Sequence, residues 1–387
     1  MPEIKGECQM VAKSEIEKNI QDYVQSFSND KSVFKSSGIM LMSDKPKNVP
    51  TISTGSMVLD NALGGGIPVG RVIEIFGPES SGKTTFALTS IAEVHKNGGY
   101  AGFIDMEYAL DPSYAAKLGV DMDKLVYAQP SYAEKAIDLM CQLAEDGMLK
   151  LVVLDSIAAM VPLAELEGGA EDITVGLLAR KLSAGLRKLI GLASQTGTTF
   201  ILINQTRDQI GGFSPYGTPQ TTPGGKATKF YASQRIEIKR SKIEERSGNN
   251  ESAASASKLT FEVKKNKIAP PGAKGSTVIR FGSGLDRVAE LLTVGDKFGV
   301  IQRPNNRTYI DAETGEIIGK SRAEAETFLS ENPDVIDRMM RTARENMKEG
   351  GFDSQNLEVD LNDDIDEDLA AVEETETVSI KAPESKK

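Results

Sequence analysis

Val72-Ile73-Glu74-Ile75-Phe76 runs straight into Gly77-Pro78-Glu79-Ser80-Ser81-Gly82-Lys83-Thr84, and the reading of these two runs decides the fold. The first run is apolar and rich in β-branched residues, the composition of a buried strand. The second satisfies G-x-x-x-x-G-K-[ST] in full. Its glycines let backbone N–H groups curl round phosphates, and a helix expected from Lys83 to His95 points its positive end at them. Lys83 is then placed to reach the β- and γ-phosphates, and the Thr84 hydroxyl to ligate Mg²⁺. A strand before and a helix after are the context this motif requires. An ordinary glycine-rich turn requires neither.

The same alternation extends outward from the motif. Tyr100 to Ile104 reads as a strand ending in Asp105-Met106-Glu107. Leu125 to Ala128 is a short strand before a helix from Ala133 to Ala144. Leu151 to Leu154 is a strand ending at Asp155, and a helix from about Val175 to Ser194 precedes a strand from Thr199 to Asn204. Short apolar strands separated by helices predict an α/β fold with a mostly parallel sheet covered on both faces. Ligands in such sheets sit beyond the carboxyl ends of the strands. Asp155 taken alone reads as a helix cap; beside the phosphate motif it reads as the carboxylate that holds Mg²⁺ through water. Glu107, just past another strand end, is placed to polarise a water attacking the γ-phosphate, or else caps the next helix. Gln205 reads either as an amide that senses the γ-phosphate or as a simple turn amide.

Thr206 to Thr228 follows, rich in Gly, Pro and Thr and carrying Arg207, Phe213, Tyr216 and Lys226. A loop this long inside a domain is functional or unstructured. Basic and apolar side chains on it suit a nucleic-acid strand. Beyond it, Phe230 to Lys239 and Leu259 to Lys264 read as strands extending the sheet in antiparallel fashion, joined by the Ser- and Asn-rich stretch Ser247 to Ser257.

Four segments result. Residues 1–48 are polar, with a short helix in Ser14 to Val24 and an apolar pentad, Gly38 to Met42, that reads as a strand of its own domain or as one docking on a neighbouring subunit. Residues 49–284 form the nucleotide-binding core. Residues 285–350 form a small α+β unit: a helix from Asp286 to Phe298, a hairpin around Asp311 to Gly315, and helices Ser321 to Ser330 and Asp334 to Lys348. Residues 351–387 form an acidic tail whose composition predicts disorder.

The chain has 387 residues, two cysteines, Cys8 and Cys141, and one histidine, His95. This excludes a disulfide-stapled scaffold and a cysteine- or histidine-rich metal site. No apolar run approaches the roughly 20 residues of a membrane span, and Met-Pro-Glu-Ile-Lys has no secretion-signal pattern, so a cytoplasmic protein with no membrane partner is expected. The net charge is −11. Eleven acidic and no basic residues lie between Asp353 and Glu376, whereas Gly224 to Lys274 holds twelve basic residues against five acidic. The tail therefore carries the imbalance and leaves a basic region open to an anionic partner.

The chain resembles the bacterial RecA-type recombinases from about Ser14 to Glu349. The resemblance is carried by Thr51 to Ser56, Gly77 to Thr85, Phe103-Ile104-Asp105-Met106-Glu107-Tyr108-Ala109-Leu110-Asp111-Pro112, Ile203-Asn204-Gln205, Gly224-Gly225, Lys229 to Ser233, and Lys264-Lys265-Asn266-Lys267-Ile268-Ala269. It implies a P-loop ATPase core of that type, with a small N-terminal polymerisation element and a small α+β C-terminal domain. It also implies a DNA-dependent ATPase that forms a helical homo-polymer on single-stranded DNA and exchanges strands with double-stranded DNA in recombination and repair. By position, Gly77, Pro78, Glu79, Ser80, Ser81, Gly82, Lys83, Thr84 and Thr85 resemble the ATP cradle and Thr84 and Asp155 the Mg²⁺ site. Glu107 resembles the catalytic glutamate and Gln205 the γ-phosphate sensor. Asp111 and Tyr114 resemble adenine contacts, and Lys265 and Lys267 the pair that reaches a neighbouring subunit's ATP; without the resemblance these lysines read as a solvated basic strand. The first DNA loop falls at about Glu167 to Val175, and the helix after it carries Arg180, Ser183 and Arg187. The second brings Arg207, Ile210, Gly224, Gly225 and Lys226 to DNA, with Phe230 as an interface residue. The acidic tail resembles the family's autoinhibitory tail.

Departures include Asp208-Gln209 where the family has a Lys before the isoleucine, a longer second-loop centre from Gly211 to Gly217, and Met106 in place of Ala. They fit a divergent copy of the kind a phage or plasmid carries. Two other readings use the same core. One is a regulatory filament that triggers cleavage of a self-cleaving stress-response repressor without exchanging strands. The other is a ring-forming motor ATPase.

Overall fold

Successive residues of the strand Leu149–Asp155 face opposite ways: Leu151 and Val153 enter one apolar cluster, Val152 and Leu154 another. Thr199–Gln205 divides likewise, Ile201 and Ile203 against Phe200 and Leu202. This period of two is what a sheet covered on both faces requires.

The computed structural model describes residues 18–22, 49–168, 176–208, 220–242, 256–305, 307–350 and 357–359. The chain separates into units Met1–Val49 and Pro50–Lys387. In the first, residues 18–22 are helical, within the helix expected there; the Gly38 to Met42 pentad lies outside the described residues.

In the second unit, β1 (Thr51–Ile52), α1 (Met57–Leu63) and β2 (Ile67–Pro68) precede β3 (Val72–Gly77) and α2 (Lys83–Lys96). Next come β4 (Tyr100–Asp105), α3 (Pro112–Lys117), β5 (Leu125–Ala128), α4 (Ala133–Glu145), β6 (Leu149–Asp155), α5 (Leu163–Glu167), α6 (Leu177–Thr196) and β7 (Thr199–Gln205). They are followed by β8 (Arg207–Asp208), β9 (Gln220–Thr221), α7 (Ala227–Tyr231), β10 (Gln234–Lys242), β11 (Ala256–Asn266), β12 (Lys274–Arg280) and β13 (Gly284–Leu285). The rest is α8 (Arg287–Val294), β14 (Ile301–Gln302), β15 (Tyr309–Asp311), β16 (Ile317–Gly319), α9 (Arg322–Glu331) and α10 (Pro333–Gly350).

Nine strands form the main sheet in the order β13-β12-β11-β10-β3-β7-β6-β4-β5. From β10 to β5 every pairing is parallel; from β10 to β13 every pairing is antiparallel. The register sets Asp105 beside Asp155 and Gly77 beside Gln205, so the chemistry-bearing strand ends meet along one edge. Phe86, Leu88 and Ile91 of α2 fill the cluster on one face, and Met140 of α4 with Leu182, Leu186 and Leu189 of α6 fill the other. Leu182, Leu186 and Leu189 recur at the spacing of one helical stripe. Burying each contributes about 1.5–3 kcal/mol. This packing holds α6 against the sheet and leaves its opposite face to solvent. The helices α8, α9 and α10 bury Leu291, Leu329 and Met339 in the same cluster as α2.

The α/β architecture with an antiparallel extension matches the sequence reading; several boundaries do not. Phe230, read as the start of a strand, lies in the helix α7, and β10 begins at Gln234. The apolar run Phe230-Tyr231-Ala232 imitates a strand. The turn is closed by Ala232 N–H on the Thr228 carbonyl (2.9 Å), and pairing begins only with Ser233 N–H on the Val72 carbonyl (2.7 Å). The helix read to Phe298 stops at Val294, because the Gly295 carbonyl accepts from Val300 and Ile301 instead of continuing the helix. Leu357 and Val359, in the segment read as structureless, are buried. Leu357 bridges to Gly275 of β12, its carbonyl accepting from Ser276 N–H at 3.0 Å. Among the described residues no helix is long and apolar enough to cross a membrane.

Candidate functional site

β3 ends in the phosphate motif and α2 begins inside it. Gly77 sits where β10 crosses closest: a Cβ there would lie 2.0 Å from the Ile238 carbonyl oxygen. Gly82 is the N-cap of α2 and, having no side chain, leaves the first N–H groups without a side-chain acceptor. That is the arrangement that binds an anion at a helix N-terminus. Lys83 is 6% exposed, and its ammonium lies across the loop. It donates to the carbonyls of Pro78 (2.5 Å) and Gly77 (3.3 Å) and to the Ser81 hydroxyl (3.3 Å). Burial lowers its pKa, opposed by the charges of Asp155, Glu107 and Glu79.

The Thr84 hydroxyl donates to Asp155 Oδ2 at 2.6 Å. Burial pushes Asp155 up to about 6; the Thr84 hydrogen bond opposes this, and the charges of Glu107 and Asp105 add to it. The Asp155–Ser156 peptide is cis. The Ser156 hydroxyl and the Gln205 amide nitrogen both donate to Glu107 Oε1, at 2.5 and 3.0 Å. Two residues from separate strand ends thus converge on one carboxyl oxygen of a third. The Tyr114 and Thr85 hydroxyls share a hydrogen bond of 2.9 Å.

A cavity of about 430 Å³ is lined by Glu79 to Thr85, Glu107, Tyr114, Asp155 and Gln205. Arg240, Leu259, Ile279, Arg280, Phe281 and Gly282 complete its wall, and sequence reading missed all six. Arg240 lies over the Phe281 ring, 4.7 Å from its centre. Asp111 is not in the lining; it caps α3, accepting from Ser113 N–H at 2.8 Å. A larger cavity, about 1160 Å³, runs from the end of α2 to α9 and shares only Arg280 with the first.

The second expected loop begins at the same strand end. Arg207 pairs with Thr221 and Asp208 with Gln220, so β8 and β9 close its base as a short ladder. A Cβ on Gly224 would lie 2.7 Å from a Leu182 methyl, and one on Gly225 3.0 Å from Ala179. These two glycines therefore let the loop base lie against α6. Arg180 and Arg187 are exposed on α6 and Ser183 is half-buried, its carbonyl accepting from Arg187 Nε at 3.4 Å. Lys226 and Arg207 are exposed; Val175 and Ile210 lie outside the described residues.

Glu74, fully buried in β3, was read only as part of a strand. Its Oε1 accepts from Asn204 Nδ2 (3.0 Å) and the Thr228 hydroxyl (2.9 Å), and its Oε2 from Arg235 Nε (2.5 Å). Asn204 also donates to the Pro223 carbonyl at 3.1 Å. One buried carboxylate therefore ties the strand of the phosphate motif to both the Gln205 strand and the end of the loop.

Lys265 and Lys267 do not line the nucleotide cavity. Lys265 donates to the carbonyls of Lys229 (2.8 Å) and Phe230 (2.9 Å) at the end of α7. Burial and then the neighbouring charges of Lys267 and Arg235 lower its pKa. Phe230 is 69% exposed.

The model of the RecA N-terminal domain matches residues 18–286. The chain is 46% identical over 327 residues to Protein RecA of Rubrobacter xylanophilus, covering 84% of this chain and 92% of that one. It is 43% identical to Protein RecA of Campylobacter hominis (88% and 95% covered) and 42% to that of Trichormus variabilis (88% and 93%). The phosphate loop, the strand-end carboxyls and a match along most of both chains agree: the chain belongs to the RecA family of DNA-dependent ATPases and recombinases.

Proposed function

We propose that the chain hydrolyses ATP with Mg²⁺ while assembled as a filament on single-stranded DNA, and that this filament pairs and exchanges homologous strands. The observation that carries the reading is the convergence of Ser156 and Gln205 on Glu107, beside Lys83 and the Thr84–Asp155 pair. Lys83 leaves its loop carbonyls for the β- and γ-phosphates, trading neutral acceptors for charged ones. Glu107 orients the attacking water, and Gln205 is held where a γ-phosphate would compete for its amide. Tyr114 and Phe281 supply the base-side wall, with Asp111 capping the helix that carries Tyr114.

Thr84 and Asp155 would hold Mg²⁺. Among the described residues no group of three or more His, Cys, Asp or Glu could bind a metal. One hydroxyl and one carboxylate suit a hard cation that takes its other ligands from phosphate and water. When bound, the ion neutralises phosphate charge.

Coupling to DNA runs through Asn204. Its neighbour Gln205 faces the nucleotide, while its own amide holds Pro223 at the end of the second loop. Arg180, Arg187, Arg207 and Lys226 provide exposed positive charge beside that loop for the DNA backbone, with Ser183, Gly224, Gly225, Val175 and Ile210 completing the contact surface. Lys265 and Lys267, outside their own chain's cavity, reach the ATP of the adjacent subunit, with Phe230 in the contact. Cations supplied across an interface make hydrolysis depend on assembly.

The test is ATP hydrolysis without DNA, with single strands and with duplex, at two salt concentrations. Strong stimulation by single strands, weakened by salt, is expected. Hydrolysis indifferent to DNA would overturn the proposal.

A further inference from the structure

The loop that carries Glu107 is shaped by a carboxylate the reaction does not use. Asp105 ends β4 and is 2% exposed. Its Oδ1 accepts from the backbone N–H of Glu107 at 3.0 Å. Its Oδ2 accepts from the N–H groups of Ala109 (3.0 Å) and Leu110 (3.1 Å). A fourth donor comes from outside the loop: the Tyr127 hydroxyl, 2.9 Å from Oδ2. Tyr127 lies on β5, the outermost strand of the sheet, paired with Phe103 of β4.

The loop needs this support. Tyr108, between Glu107 and the Asp105-bound Ala109, has φ of 56°. Such a left-handed backbone is unusual for a bulky residue and persists where surrounding contacts over-determine it. At the near end Met106 N–H is fixed to the Asp155 carbonyl at 2.7 Å. Beyond it, the backbone N–H groups of Glu107, Ala109 and Leu110 are all held by Asp105, while the Tyr108 hydroxyl donates to the Pro130 carbonyl at 3.4 Å. Burial, and then Asp105 itself, push the Tyr127 phenol up to about 12, so it stays protonated and a donor throughout the neutral range.

We propose that Tyr127 is a positioning residue for ATP hydrolysis: its hydroxyl fixes the Asp105 carboxylate, and Asp105 fixes the backbone that aims Glu107 at the nucleotide cavity. Tyr127 does not line the nucleotide cavity. Its effect is on the alignment of Glu107, and small misplacements of a reacting group cost rate rather than binding. The proposal rests on the reading of Glu107 given above.

Tyr127→Phe removes one oxygen and leaves the ring. In steady-state hydrolysis by the full chain on single-stranded DNA, kcat should fall about fivefold to tenfold while KM for ATP stays within about twofold. In a Glu107→Gln background the same change should have no further effect, because nothing remains to be aimed. DNA binding by fluorescence anisotropy and the melting temperature should match the parent. Unchanged kcat in Tyr127→Phe with Glu107→Gln inactive overturns this proposal alone. Wild-type turnover by Glu107→Gln overturns the reading of Glu107 and this proposal with it. A raised KM at constant kcat, an equal loss in both backgrounds, or lost DNA binding would each make Tyr127 a folding or assembly residue and overturn it.

Discussion

Two groups of carboxyls, all buried except Glu107, can be set side by side. Asp105, Glu107 and Asp155 gather at the ends of β4 and β6; Asp60 and Glu290 gather where α1 meets α8. Burial raises a pKa in both, Asp155 to about 6 and Glu290 to about 7, with Asp60 raised as well. The difference lies in what faces the oxygens. Glu290 accepts from the Ser56 and Thr277 hydroxyls (2.5 Å each) and from Met57 N–H (2.8 Å). Asp60 accepts from Ser53 (2.6 Å) and from the hydroxyl and N–H of Thr54 (2.8 Å each), with Arg344 Nε at 3.3 Å. These donors close that cluster. Asp155 and Glu107 have few donors and open onto a cavity. A shifted pKa therefore does not separate a working site from a structural one; the unfilled side does.

The largest effect that would break this comparison is on the open side. Lys83→Ala should lower single-strand-stimulated hydrolysis at least about 100-fold with little change in melting temperature. Turnover near wild type in that variant would mean the open cluster is not the working one. On the closed side the expectation reverses. Glu290→Ala strands the two hydroxyls and the Met57 N–H, so it should cost roughly 3 kcal/mol and several degrees of melting temperature. Activity per folded molecule should stay unchanged. An activity loss without a stability loss would merge the two clusters into one class.

The smallest effect sharpens the contrast through pH. A Glu290 raised from 4.5 to about 7 contributes stability that is complete below its ordinary value and lost as pH climbs through about 7. Glu290→Gln cannot ionise and should lack that loss. Its melting temperature, compared with wild type, should gain by a few degrees between about pH 5 and pH 8. A difference that stays constant across that range would show that Glu290 does not titrate there.

Much of the site was legible because a parallel sheet does the gathering. Once Val72 to Phe76, Tyr100 to Ile104, Leu151 to Leu154 and Thr199 to Asn204 were read as neighbouring strands, Gly77, Glu107, Asp155 and Gln205 had to meet at one edge. What stayed hidden came from elsewhere. Phe281 and Arg240 reach the cavity from the antiparallel strands, more than 150 residues along the chain from the phosphate loop, and no local pattern announces them. Glu74 looks like one polar residue in an apolar strand; its role depends on partners from β7, α7 and β10. The helix α1 was missed although its signals were present: Ser56 caps it and Gly64 ends it. The Asp-Pro pair at Asp111 likewise marks a helix start, which is what the structure makes of it.

Gly77 has a consequence for reading mutational tolerance. Its missing Cβ answers to the Ile238 carbonyl of the adjacent strand, so any side chain at 77 must push β3 and β10 apart. A saturation library sorted only for correctly folded protein would already keep glycine there. Tolerance at position 77 thus reports on sheet packing, and the phosphate loop's own requirements are to be read from Lys83 and Thr84 instead.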